Sequence, residues 1–141
     1  MEALKISMSG MDVEWQRLRV IAENLANVNS TRDAMGGTYK PKRLVSGPSL
    51  SFDAMLSGAA DANLSASGVR VMGVENVADA ERRQYEPDHP HADVDGFVTY
   101  PKVDHATEMA LMIKTSRVYE ANLTALTLAR QMYSRALEMG R

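Results

Sequence analysis

No cysteine occurs among the 141 residues, which excludes disulfides and thiolate chemistry while leaving the compartment open. No stretch approaches the roughly 20 consecutive apolar residues that would span a bilayer. The first turns are interrupted by Glu2, Lys5, Asp12, Glu14, Arg17, Arg19 and Glu23, so no uninterrupted apolar segment of the kind a cleavable signal peptide needs is found there. The expectation is a soluble chain that does not insert into membranes and that, if it leaves the cytoplasm, does so without such a signal. An excess of charge is also missing. Sixteen basic and eighteen acidic residues leave a net charge of −2, and no long-range field favours nucleic acid or anionic lipid. Proline is absent from both ends of the chain, and glycine interrupts the terminal segments only at Gly10 before Gly140.

What is present at those ends is helical periodicity. Leu4, Met8, Met11, Trp15, Leu18, Ala22 and Leu25 follow at alternating steps of four and three, the spacing of one helical seam, with Ile21 and Val28 widening the stripe. This predicts an amphipathic helix over residues 3–28, ended by Asn27, Asn29 and Ser30, whose short polar side chains compete with helical backbone bonds. The last third repeats the pattern. Met112, Ser116, Tyr119, Leu123 and Leu126 form one row, with Leu111, Val118, Ala125, Ala129, Met132, Ala136 and Met139 beside it. A second helix over 105–139, opened near His105, would extend roughly 50 Å.

Between the helices lie all five prolines and most of the glycines. Val69–Val74 and Phe97–Tyr100 read as short strands, with Lys42–Val45 and Arg82–Tyr85 as weaker ones. The Ser-, Ala- and Gly-rich stretch 46–67 reads as a mobile connection or a loosely held turn. The fold class expected is therefore α+β: terminal helices pairing in coiled-coil fashion as a helical core, with a small β-rich domain inserted. The corresponding division is 1–32, 33–104 and 105–141. Two long apolar stripes exceed what about 75 intervening residues can cover, so the helices must meet each other or other chains. Many Met and Ala residues, together with Ser116, Asn122 and Arg130, make these seams poor as autonomous dimers. Asn24, Asn27 and Asn29 are expected to satisfy backbone groups at the end of the first helix.

The residues Ser9-Gly10-Met11 followed by the run from Glu23 to Arg32 resemble the opening shared by flagellar rod and hook proteins. Gly36-Gly37-Thr38-Tyr39, the run from Tyr85 to Pro90, Gly96-Phe97-Val98 and Tyr100-Pro101 narrow the resemblance to the C-type proximal rod family. The runs Arg117–Ala125 and Ala136–Arg141 resemble that family's carboxyl end. The match covers nearly the whole chain in order, leaving only about 46–67 without a pattern. It implies a rod subunit in the periplasmic part of the basal body, delivered by the flagellar export apparatus without cleavage, with other rod proteins and copies of itself as partners and no cofactor. Under that resemblance the subunit contacts are assigned to Leu4, Met8, Met11, Trp15, Leu18 and Leu25 with Leu111, Val118, Leu123, Leu126 and Met132. A helical adaptor binding one partner through the same stripe is the alternative, since groove binding uses the same spaced anchors.

Chemistry finds few candidates. Asp88, His89, His91, Asp93 and Asp95 put imidazoles and carboxylates close together, but their spacing fits no zinc signature, and Pro87 and Pro90 point to a stiff surface turn. Gly36-Gly37 lacks the further glycine and lysine of a phosphate cradle and reads as a turn. Ser9 lies inside a helix pattern and makes no nucleophile elbow. With no acid, base and nucleophile assembled, no catalytic or metal-binding residue is assigned and an enzyme is not expected.

Overall fold

The computed structural model describes residues 2–32, 36–49 and 68–140. Its elements are α1 (Glu2–Ala26), β1 (Lys42–Pro48), β2 (Val69–Asn76), β3 (Glu81–Tyr85), β4 (Phe97–Pro101) and α2 (His105–Met139). The architecture is α+β, with a helix at each end and two antiparallel two-stranded sheets, β1–β2 and β3–β4, between them. All four expected strands form. Of the Ser-, Ala- and Gly-rich stretch, 46–48 complete β1, and the remainder from 50 to 67 lies outside the described residues.

The two helices pack along their length as an antiparallel pair. Asn24 meets Glu108 near one end, and Gly10 meets Asn122 further along. At about 1.5 Å per residue, the 25 residues of α1 span about 37 Å and the 35 residues of α2 about 52 Å. In the observed register Glu2 stands level with Arg130, so the nine residues Gln131–Met139 run past the start of α1. The close approach at Gly10 has a steric cause. A Cβ there would stand 2.9 Å from Asn122 Nδ2, so the glycine lets the end of the Asn122 side chain come closer than any other residue would allow without displacing it.

α2 starts where Asp104 accepts a hydrogen bond from Ala106 N at 3.1 Å and a second from the Thr107 hydroxyl, supplying an orphan amide of the first turn with a partner. Further along, Thr124 and Thr127 spend their hydroxyls on the carbonyls of Glu120 and Leu123, both at 2.9 Å, which lets polar residues sit in a long helix. α1 ends at Ala26, where Asn27 Nδ2 donates to Glu23 O at 2.8 Å and Ser30 Oγ to Asn27 Oδ1 at 3.1 Å.

β1 and β2 lie against α1. Arg17 ties them down, donating to Leu44 O at 3.3 Å and Ser46 Oγ at 2.9 Å while pairing with Glu14 at 3.1 Å. Ser9 Oγ accepts from Val69 N at 3.1 Å and donates to Ile6 O at 2.7 Å, which docks the start of β2 on the same helix. Val45 pairs with Gly73 and Ser46 with Val71, leaving Met72 as a one-residue bulge whose side chain lies over Gly47. In the second sheet Phe97 packs edge-on to Tyr85 at 5.3 Å and beneath Arg83 at 4.8 Å, while Val98 is 1% exposed. The buried residues described are few: Val13, Ile21, Tyr39, Pro41, Leu44, Ala80, Val98 and Pro101 are apolar or aromatic, and Asn24 and Thr115 are polar.

Candidate assembly surface

The line along which α1 meets α2 is not the seam read from the sequence. Val13, Ile21 and Asn24 are buried and Gly10 makes the close approach, whereas Met8 and Trp15 are 58% and 57% exposed. Leu4, Met11, Leu18 and Leu25 are half-buried. The physical reason is that α1 carries two adjacent stripes. The narrower one, with its glycine and β-branched residues, admits α2 and the β1–β2 sheet closely, and the one with the larger side chains is left beside it.

α2 divides in the same way. Met112, Thr115, Tyr119, Asn122, Leu126 and Ala129 recur at steps of three and four and are, with Glu108 and Ser116, its less exposed residues. Leu111, Val118, Ala125, Met132 and Met139 recur every seven residues on a row that is exposed throughout. Leu123 is also exposed, while Leu126 belongs to the less exposed row. Of the eleven residues assigned to subunit contacts, Met8, Trp15, Leu111, Val118, Leu123 and Met132 therefore present accessible apolar surface. Two shallow depressions take in three of these six, Met8, Trp15 and Met132. Met8, Ser9, Met11, Asp12, Trp15 and Tyr119 line one, and Ala3, Leu4, Ala125, Leu128, Ala129, Met132 and Tyr133 line the other, at the open end of the pair.

At the opposite end a polar cluster holds the three parts of the fold together. Asn24, 2% exposed, uses all four of its amide bonding positions. Its Oδ1 accepts from Lys42 N and from the Tyr39 hydroxyl, each at 2.9 Å, and its Nδ2 donates to Lys42 O at 2.9 Å and to Glu108 Oε1 at 3.4 Å. The expectation that Asn24 satisfies the end of its own helix is thus corrected. Its side chain serves the backbone of β1 instead, because it lies on the inward stripe, while Asn27, one turn edge further round, does cap α1. Burial, with Glu23 and then Glu108 nearby, pushes the Tyr39 phenol up to about 12, so it donates to Asn24 at all physiological pH. Sequence reading missed this cluster. Its one visible signal is that Asn24 continues the stripe of Val13, Arg17 and Ile21.

The histidine-rich turn is closed on itself. His89 Nδ1 accepts from His91 N at 3.0 Å, His91 Nδ1 bonds Thr31 Oγ1 at 2.7 Å, and the two rings meet edge to face at 5.4 Å. Asp93 accepts from the amides of Phe97 at 2.8 Å and Asp95 at 3.0 Å and pairs with Arg83, so it is a turn-forming carboxylate and not a merely solvated one. The Phe97 amide is the main cause holding its pKa below the ordinary 3.8, with Arg83 adding to it. These groups are turned toward protein partners. Among the described residues no three His, Asp or Glu side chains are grouped to hold a metal ion, and no helix is long and apolar enough to cross a membrane.

The chain has counterparts among known proteins. Residues 94–139 match the family model described as flagellar basal body rod FlgEFG protein C-terminal, which covers the loop before β4, β4 and all of α2. The flagellar basal-body rod protein FlgC of Bacillus subtilis is 32% identical over 148 residues, covering 99% of this chain and 97% of the relative. Its namesake in Salmonella typhimurium is 33% identical over 135 residues, with 96% and 93% covered, and that of Borreliella burgdorferi 30% identical over 143 residues, with the same coverage. Similarity of this extent runs through both helices and the β region, and the chain belongs to the FlgC family of flagellar basal-body rod proteins.

Proposed function

We propose that the chain is a structural subunit of the proximal rod, built into the drive shaft that carries motor torque, and that it works by assembly and not by catalysis. The observation that carries this reading is the second apolar row on each helix. The inward rows are used within the chain, while Met8 and Trp15 on α1, the seven-residue row with Leu111, Val118 and Met132 on α2, and Leu123 on the other flank of the inward row of α2 stay accessible. A row repeated every seven residues is suited to a further helix packing alongside.

Surfaces on different sides of one subunit make heterologous contacts, which propagate as an open helical assembly when the rotation does not close. The axial contacts are assigned to the eleven residues named above, with the chain divided into axial helices at 1–32 and 105–141 and a middle domain at 33–104. Partners are other rod proteins and further copies of the chain. Placement in the periplasm and passage through the flagellar export apparatus without cleavage complete the proposal, consistent with the expectation from the first residues.

Sedimentation of the purified chain, alone and mixed with neighbouring rod proteins, tests the mode of association. The rod reading predicts a length distribution that grows with concentration and is lost in Leu123→Asp. A single complex of fixed size would instead favour an adaptor that uses the same stripe for one partner.

A further inference from the structure

We propose that the contact between Asn24 and Glu108 is a register lock, which sets how far α2 projects beyond α1 and so how much apolar helix the subunit offers to its neighbours. The need for such a device follows from the inward rows. On α2 the less exposed positions recur with a seven-residue period, and many are small or flexible: Met112, Thr115, Ser116, Asn122 and Ala129. A slide of α2 by seven residues, about 10 Å, would bring Ala129 opposite Gly10 in place of Asn122 and still fit the glycine. Apolar packing of this kind does not distinguish the two registers well.

The polar groups do distinguish them. In the observed register Asn24 Nδ2 reaches Glu108 Oε1 at 3.4 Å, and the other three bonding positions of the amide are held by Lys42 and Tyr39. After the slide, Asn24 would face Thr115, and the carboxylate of Glu108 would lose its one donor from α1. The projecting part of α2 would shrink from nine residues to two, withdrawing Met132 and Tyr133 from the open end. A slide in the other direction would leave Asn24 beyond the start of α2. Leaving buried polar groups unpaired is costly, and single buried asparagines are known to select register in this way.

Glu108 also shows the signature of a group kept for specificity. Its Oε2 is buried without a hydrogen-bond partner among the described residues, so the side chain is an imperfect contributor to stability. Its replacement by an apolar residue should leave the chain folded and loosen the register. The functional meaning of that register rests on the assembly reading above, but the register itself is a property of the single subunit, and the two can fail separately.

The absence of cysteine makes the test direct. Spin labels at Lys5→Cys and Lys114→Cys, both on exposed positions of the full-length chain, report the relative height of the helices by dipolar spectroscopy. The expected result is one distance for the parent chain and for Glu108→Gln, which keeps an acceptor. For Glu108→Met the expected result is a chain that still folds cooperatively, with a melting temperature lowered only slightly by the unpaired Asn24 amide, and at least one added population displaced by about 10 Å along the pair. A parent chain with a scattered distance would overturn the proposal, as would Glu108→Met with the parent distance, Glu108→Met that fails to fold, or Glu108→Gln as scattered as Glu108→Met.

Discussion

Individual side chains in this protein are asked to do more than their number would imply, because the buried core is small and two of its members are polar. Val98, fully enclosed in the second sheet, is a plain case. Val98→Ala is expected to lower the stability of the chain by about 2 kcal/mol, read as a shift of the urea midpoint without a change in slope. Charged side chains add a dependence on acidity. The Thr107 hydroxyl, followed by the Ala106 amide, holds Asp104 below the ordinary 3.8, as the Phe97 amide and Arg83 do for Asp93. A carboxyl whose folded pKa is depressed contributes stability above its unfolded value and loses it as pH falls toward the folded one. Burial, then Arg32 and His89, lowers His91 from 6.5, and this neutral-favouring shift acts in the same direction, beginning higher. Thermal melts should therefore drop as pH falls from about 6.5 and again below about 4, and His91→Gln should remove the first part only. A stability that rises on acidification through this range would contradict these assignments.

For helices and strands, most of what forms was legible from periodicity and punctuation. The second helix begins at His105 and runs to Met139 as its unbroken pattern predicts, and the first ends within two residues of its expected limit, where Asn27 bonds its last turn. β2 and β4 appear where β-branched residues alternate or the run ends at a proline, and β1 and β3 form at the two weaker candidates, opposite them in each sheet. What escaped was which stripe of α1 turns inward. Large apolar residues marked Leu4, Met8, Met11 and Trp15, but close packing favours the smaller Gly10 and Val13, and a hydrophobic count does not see glycine. Asn24 was legible as a polar residue near a helix end and illegible as a bridge to β1, since its partners Tyr39 and Lys42 come from another element. Gly10→Leu tests the close approach. The larger side chain would drive Asn122 away and cost about 2 kcal/mol, measurable as a lower melting temperature of the helix pair, with the β3–β4 sheet unchanged by amide exchange.

Across the assembled particle the subunit's value lies in having apolar surface left over. A chain that covered all of its stripes would be more stable alone and would have nothing to offer a neighbour. The antiparallel pair reconciles these demands by using one row of each helix inside and keeping another outside, with nine residues of α2 projecting past α1. Leu123 is the cleanest position at which to separate them, because it is exposed, whereas Leu126 belongs to the inward row and its replacement by Asp would damage the subunit itself. Complementation of a strain lacking its own rod protein of this family, with motility scored and basal bodies imaged by electron microscopy, is the most direct measurement. The parent chain should restore rods and swimming, and Leu123→Asp, expressed and exported at the same level, should restore neither. Intact rods built from Leu123→Asp would contradict assembly through the exposed apolar surface of α2 on which Leu123 lies.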